Sequence, residues 1–428
     1  MGIKWIGNLG LLFFVSASAV GQNPNFNYTE AKVPAYDLPE LMTLANGRPV
    51  KTKRQWEQQR RPEILELFQE HMYGSIPGDL VTSVRFQVIE QGEAFSGLGH
   101  RSQVRVYFGE ESNSPFVDVL IYTPSVAGAA TPCPLFVGLN FMGNHTTTPE
   151  EEVLITESWV RNDSRIGYRD HKASEISRGA SAKRWPVEMI MRAGFGVATA
   201  YYGDIDPDFD DGFNNGVHQL SAASQTRDDS HWGSIATWAW GLSRIMDYLV
   251  TLPHVDEHRI AVLGHSRLGK TSLWAGASDR RFSLVISNDS GCGGAAISRR
   301  RFGETVKRIN TSFPHWFCKK FRQYNDLEGE LPLDQHMLIA LMAPRPVYIA
   351  SASEDLWADP RGEFLAGMHA AGVYRLFGLT GLGTNEQPPV NTPVGDRIGY
   401  HLREGKHDVA EYDWQQYIRF AKRHYDAR

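Results

Sequence analysis

Ile260-Ala261-Val262-Leu263-Gly264-His265-Ser266-Arg267-Leu268-Gly269-Lys270 is the most informative stretch of the chain. Ile260 to Leu263 form a short, wholly apolar run, which suits a strand covered on both faces. Gly264-His265-Ser266 interrupts it, and a helix is expected to follow, with Trp274 and Ala275 on its path. Strand, sharp turn and helix are the setting of a nucleophile elbow, which lifts a serine hydroxyl above the end of a sheet. The usual elbow reads Gly-x-Ser-x-Gly. Here Leu268 takes the second glycine position and the glycine is displaced to 269. The bland alternative is a structural serine at a strand–helix turn.

Outward from the elbow the pattern repeats. Leu135–Leu139, Phe195–Tyr202, Leu284–Ser287 and Val347–Ala352 are further apolar runs. Helices are expected between them. Trp232–Leu249 carries apolar residues at 235, 238, 239, 242, 245, 246 and 249, and the last helix places Trp414, Tyr417, Ile418 and Ala421 on one face. A helix is also expected over Pro62–Met72, closed by Tyr73-Gly74. Val104–Phe108 and Phe116–Tyr122 read as an antiparallel entry into the sheet. No Pro/Gly/Ser linker divides the chain, so residues 22–428 are expected to form one α/β domain. Residues 141–185 and 291–335 are too long and irregular for simple connections. Both follow strand ends on the side where open α/β sheets build their sites.

Composition narrows the function classes. Of 428 residues, 42% are apolar and 22% charged, and the formal net charge is −5. These values suit a soluble globular protein and supply no basic field for nucleic acid. Lys4, the apolar run Leu9–Val15 and the small residues Ala17-Ser18-Ala19-Val20-Gly21 predict a signal peptide over residues 1–21. The mature protein is therefore expected to be secreted or periplasmic and off the membrane. It has three cysteines, Cys133, Cys292 and Cys318, which allow at most one disulfide. Cys292–Cys318 is the more plausible pair, and no Cys/His spacing resembles a metal site.

A serine nucleophile needs a base, and in this fold the chain order is Ser, acid, His. His407, in the polar loop Arg403-Glu404-Gly405-Lys406-His407-Asp408, lies where the base belongs; His401 is its rival. His424 is expected on the surface of the last helix. Two acids compete to orient the imidazole. Asp355 follows the Val347–Ala352 run and is favoured; Asp289 follows Leu284–Ser287. Arg267 offers a backbone N–H and a guanidinium to an oxyanion, or else a salt bridge that holds the elbow. The loop Asn140-Phe141-Met142-Gly143 can line the same hole. Lys270, one helical turn past Ser266, can reach a substrate oxygen or simply be solvated.

The stretch Gly264–Lys270, with Asn288-Asp289-Ser290-Gly291-Cys292-Gly293-Gly294, resembles the glucuronoyl esterases of carbohydrate esterase family 15. Their elbow is Gly-x-Ser-Arg-x-Gly-Lys, which accounts for the displaced glycine. The resemblance, to the bacterial form, continues through Arg301-Phe302-Gly303-Glu304, Pro314-His315-Trp316-Phe317, Met342-Ala343-Pro344-Arg345-Pro346 and Gly405-Lys406-His407. It implies an α/β-hydrolase fold, a three-layer sandwich around a mostly parallel sheet. It implies a cofactor-free serine esterase that cleaves esters between 4-O-methyl-glucuronate side chains of glucuronoxylan and lignin alcohols; an acetyl xylan esterase is the alternative. By motif, Ser266 and His407 match the nucleophile and base, Arg267 the oxyanion arginine, and Lys270 and Glu304 the sugar-binding pair. Trp357, in Trp357-Ala358-Asp359-Pro360, matches a tryptophan beside the sugar. Asp289 departs from the glutamate of many members. The protein is expected to act as a monomer.

Overall fold

A computed structural model describes residues 25–80, 83–111, 114–221 and 227–426; the expected signal peptide lies outside the described residues. The strands are β1 (Val84–Ala94), β2 (Gly99–Phe108), β3 (Phe116–Pro124), β4 (Cys133–Asn140), β5 (Gly196–Tyr201), β6 (Val255–His265), β7 (Leu284–Asn288), β8 (Val347–Ala352), β9 (Val394–Gly395) and β10 (Ile398–Arg403). They form one ten-stranded sheet in the order β1-β2-β3-β5-β4-β6-β7-β8-β10-β9. From β5 to β10 every pairing is parallel. β1, β2 and β3 enter antiparallel, as read from the sequence for β2 and β3.

Successive side chains of a strand point to opposite faces, and in the parallel strands both faces are buried. Leu135, Val137, Val262, Val285 and Val347 join a core with Trp238, Ile245, Leu273 and Phe364 from the helices Ser234–Leu249, Arg267–Ser278 and Pro360–Leu376. Phe136, Ala261, Leu263, Ile286 and Tyr348 join a second core with Ile190, Trp414, Tyr417 and Phe420 from the helices Val187–Arg192 and Glu411–Tyr425. The result is the three-layer sandwich of the α/β-hydrolase fold.

The chain leaves β4 for β5 on one side and returns to β6 on the other. That reversal opens a crevice beyond the carboxyl ends of β4 and β6, where doubly wound sheets bind ligands. β4 ends at Asn140 and β6 at His265, so residues 141–185 and the elbow face one another across it.

The sequence expectations are corrected in three places. The helix expected over Pro62–Met72 begins earlier, at Lys53, and alternates α-helix (Lys53–Gln55, Arg61–Phe68) with wider π turns (Trp56–Arg60, Gln69–Tyr73). His424 is buried rather than on the surface, with Nε2 3.0 Å from the Asp396 carbonyl. All three cysteines are free and buried, so Cys292 and Cys318 are not joined.

Candidate active site

Ser266 has φ 57° and ψ −126°, a strained conformation for a residue with a side chain. The neighbours tolerate it because the glycines leave no bulk. A Cβ on Gly264 would lie 1.8 Å from the Leu268 carbonyl oxygen. A Cβ on Gly269 would lie 2.9 Å from Ser290 Cβ and 3.1 Å from the Asn288 oxygen. The second glycine thus stands at 269 because the turn after β7 crosses the helix there. The Ser266 N–H donates to the Asn288 carbonyl at 2.9 Å, which ties the elbow to the same turn.

His407 reaches the crevice from the loop after β10. It and Ser266 line one cavity of about 600 Å³. His407 Nδ1 is 2.6 Å from Asp355 Oδ2. With Nδ1 so engaged, Nε2 is the nitrogen left for proton transfer. The rival His401 is fully buried, between Asp413 at 2.8 Å and the Tyr348 hydroxyl at 2.9 Å, and braces β10 instead.

Asp289 stands beside this pair. Carboxylate atoms of Asp289 and Asp355 and a ring nitrogen of His407 all lie within 4.8 Å of one another. Yet among the described residues neither Asp289 oxygen has a hydrogen-bond partner, and the Arg403 guanidinium is 3.8 Å away. Burial, then the neighbouring Asp355, Glu363 and Asp413, push its carboxyl well above the usual range. Of the two acids, the one bonded to the imidazole is Asp355.

Arg267 makes a salt bridge, one of the two readings of it. One guanidinium nitrogen donates to Asp208 Oδ2 at 2.5 Å and to the Tyr202 hydroxyl at 3.3 Å. The group also lines the cavity, 5.3 Å from the Phe141 ring centre and 5.0 Å from that of Trp316. Asp208 is the anchor that sequence reasoning missed. It also accepts from Tyr202 Oη at 2.9 Å, from His315 Nε2 at 2.8 Å and from Trp316 Nε1 at 2.7 Å. Burial opposes its ionisation, but Arg267, His315 and Trp316 prevail and hold it below the usual range. Asp208 lies in a loop with no periodicity to mark it; only its partners, which include the quoted His315-Trp316, give it away.

The Asn140–Gly143 loop contributes differently from expectation. Asn140 Oδ1 takes the N–H groups of Met142 at 3.3 Å and Gly143 at 2.8 Å, so those two are not available to an oxyanion. The loop supplies the Phe141 and Met142 side chains as cavity wall, with Arg161, Ile166, Tyr168 and Arg184 from the long insertion.

Lys270 is buried, not solvated, and its Nζ donates to the Ser290 carbonyl at 2.6 Å. Burial lowers its pKa, with Glu304 acting in the opposite direction. Glu304 is raised by burial and drawn back by Lys270 and by a hydrogen bond with Trp357. The Glu304 N–H donates to the Trp357 carbonyl at 3.0 Å, and the Trp357 ring meets Phe26 edge-on at 4.9 Å. Lys270, Glu304 and Trp357 therefore form a linked group near the elbow, none of them lining the 600 Å³ cavity.

Fold and elbow together define a carboxylic ester hydrolase of the α/β-hydrolase fold. The profile of fungal glucuronyl esterases matches residues 226–378. A carbohydrate esterase, MZ0003, from an unidentified prokaryote is 53% identical over 404 residues, 94% of this chain and 93% of that protein. Two solved structures are similar throughout. A promiscuous CE15 esterase from a marine bacterial metagenome is 52% identical (TM-score 0.87, covering 93% of this chain and 100% of that one). A glucuronoyl esterase from Solibacter usitatus is 46% identical (TM-score 0.86, 92% and 99%). The chain belongs to carbohydrate esterase family 15, the glucuronoyl esterases.

Proposed function

We propose that this enzyme hydrolyses esters between 4-O-methyl-glucuronate side chains of glucuronoxylan and lignin alcohols, with Ser266 as nucleophile, His407 as base, Asp355 as its orienting acid and Arg267 at the oxyanion. The observation that carries the reading is the Asp355–His407 hydrogen bond at the mouth of the cavity that Ser266 and Arg267 line.

His407 Nε2 takes the Ser266 proton as Oγ attacks the uronate carbonyl. The carbonyl oxygen becomes an oxyanion, opposite the Arg267 backbone N–H and guanidinium. Collapse breaks the bond to the alcohol, which leaves with the proton held by His407. Water, deprotonated by His407, then cleaves the glucuronoyl-enzyme and restores Ser266. Lys270 and Glu304 bind the sugar hydroxyls, Trp357 packs beside the sugar, and the wall of Phe141, Met142, Ile166 and Tyr168 receives the alcohol. Asp289, its carboxyl pushed well above the usual range by burial, stands beside the pair.

Comparing benzyl glucuronate with acetylated xylan tests the reading, and preference for the acetyl substrate overturns it. Ser266→Ala is expected to abolish turnover of both substrates. We further propose that the protein is exported as a monomer of one domain. Among the described residues no helix is long and apolar enough to cross a membrane. A purified N-terminus at or near Gln22 supports export; an intact Met1 in culture fractions contradicts it.

A further inference from the structure

Glu363, in the helix Pro360–Leu376, is fully buried and has no part in the steps above. It is fully occupied. Its Oε1 accepts the N–H groups of Ser290 at 2.8 Å and Gly291 at 2.9 Å, and the Ser290 hydroxyl at 3.2 Å. Its Oε2 accepts the Ser351 hydroxyl at 2.5 Å. Two adjacent N–H groups converge on one oxygen because the backbone turns left-handed on either side of Ser290, with φ 43° at Asp289 and 57° at Gly291. Such a turn aims two N–H groups at one acceptor, here an oxygen of the protein's own Glu363 carboxyl. A non-glycine residue at φ 43° is strained and persists only where its surroundings fix it.

That turn serves the site twice. Its Asn288 carbonyl receives the Ser266 N–H at 2.9 Å, and its Ser290 carbonyl receives Lys270 Nζ at 2.6 Å. Asn288 is also held independently, its side chain bonded to the Tyr417 hydroxyl at 2.9 Å and to His265 Nδ1 at 2.5 Å. The Ser290 hydroxyl also meets Ser287 Oγ at 2.7 Å and the Ala295 N–H at 2.9 Å, but among the described residues Glu363 alone receives the Ser290 and Gly291 N–H groups, so it fixes the backbone of the Lys270 end of the turn.

We propose that Glu363 is a positioning residue for sugar recognition, clamping the Ser290–Gly291 turn so that the Ser290 carbonyl aims Lys270 at the uronate. The inference rests on the reading of Lys270 as a sugar-binding residue. Glu363→Asp keeps the carboxyl group but withdraws it by one methylene, so the clamp loosens. Its KM for benzyl glucuronate is expected to rise roughly tenfold. Its kcat/KM for 4-nitrophenyl acetate, which has no sugar to grip, is expected to stay within about twofold. Glu363→Gln retains an acceptor oxygen for both N–H groups and can donate to Ser351, so it is expected to restore KM to within about threefold of the parent. In a Lys270→Ala background Glu363→Asp is expected to add little, because both act through one group.

Parallel loss on both substrates would mark a merely structural role and overturn the proposal, as would an unchanged KM in Glu363→Asp. If Lys270→Ala changes the uronate-to-acetate ratio and Glu363→Asp does not, the clamp alone is wrong. If Lys270→Ala leaves that ratio unchanged, the sugar-binding reading fails and the clamp with it.

Discussion

A carboxylate stabilises an imidazolium only while it is ionised and in contact. Asp355 satisfies the contact at 2.6 Å, whereas Asp289 is buried, unbonded and pushed towards its neutral form by its surroundings. An amide is a fair copy of a neutral acid and a poor copy of an anion. Asp355→Asn is therefore expected to lower kcat on benzyl glucuronate on the order of 100-fold or more, and Asp289→Asn less than about tenfold. Steady-state rates of the two variants decide it, and equal or reversed losses contradict the assignment. Asp208 poses the opposite case. It is ionised, 1% exposed and surrounded by donors from Tyr202, Arg267, His315 and Trp316. Asp208→Asn turns an NH₂ group towards donors and leaves Arg267 without its counter-ion. Loss of about 3–5 kcal/mol in denaturant unfolding is expected, together with a fall in kcat, since the guanidinium no longer has a fixed place. Neither Asp208 nor Glu363 was legible in the sequence. A buried carboxyl group is identified by what it touches, and their partners lie up to 108 and 73 residues away.

At the scale of elements, the elbow is set by what its glycines exclude. Gly264→Ala places a methyl carbon where the Leu268 carbonyl already stands, 1.8 Å away, so strand and helix must separate. Overpacking of this kind costs about 1–3 kcal/mol or more, and the hydroxyl of Ser266 is displaced with it. A lower melting temperature and near-complete loss of esterase activity are expected; a fully active Gly264→Ala would contradict the geometry. This element was legible because an apolar run, a glycine and a helix leave few alternatives. β7 and β8 were legible for the same reason, Val347–Ala352 to the residue. β1 and β10 were not. β1 is half exposed and carries Arg85, Gln87, Glu90 and Gln91 on an outer strand, so its apolar signal is diluted. β10 carries His401 and Arg403 at buried positions, which argues against a core strand until Asp413 is seen to pair with both. The long insertion 141–185 was readable as a site wall from its place after β4, but its four short 3₁₀ turns follow no pattern a single sequence displays.

Across the whole molecule, burial holds two sets of groups neutral, and they set opposite limits on stability. Burial depresses the histidines. His145, His231 and His424 fall from 6.5 to about 4, and His336 to about 3. A depressed histidine is neutral in the fold while the unfolded chain takes up a proton below its ordinary pKa. Its contribution to stability is therefore present above pH 6.5 and lost as pH falls below it. Burial raises the carboxyls. Asp204 rises from 3.8 to about 7 and Glu363 from 4.5 to about 8. These keep a proton in the fold that the unfolded chain releases. Their contribution is present below the unfolded values and is lost progressively as pH rises to about 7 for Asp204 and about 8 for Glu363. The two slopes oppose one another between about pH 4.5 and 6.5, and only the carboxyl slope remains above that. The melting temperature is thus expected to peak near about pH 6.5 and to fall by several degrees towards about pH 8. Asp204→Asn, which cannot ionise, is expected to flatten the part of the alkaline slope that ends near pH 7. Calorimetric scans of parent and variant across this range measure both effects. A melting temperature that climbs steadily through neutrality would show that these buried carboxyls are ionised in the fold.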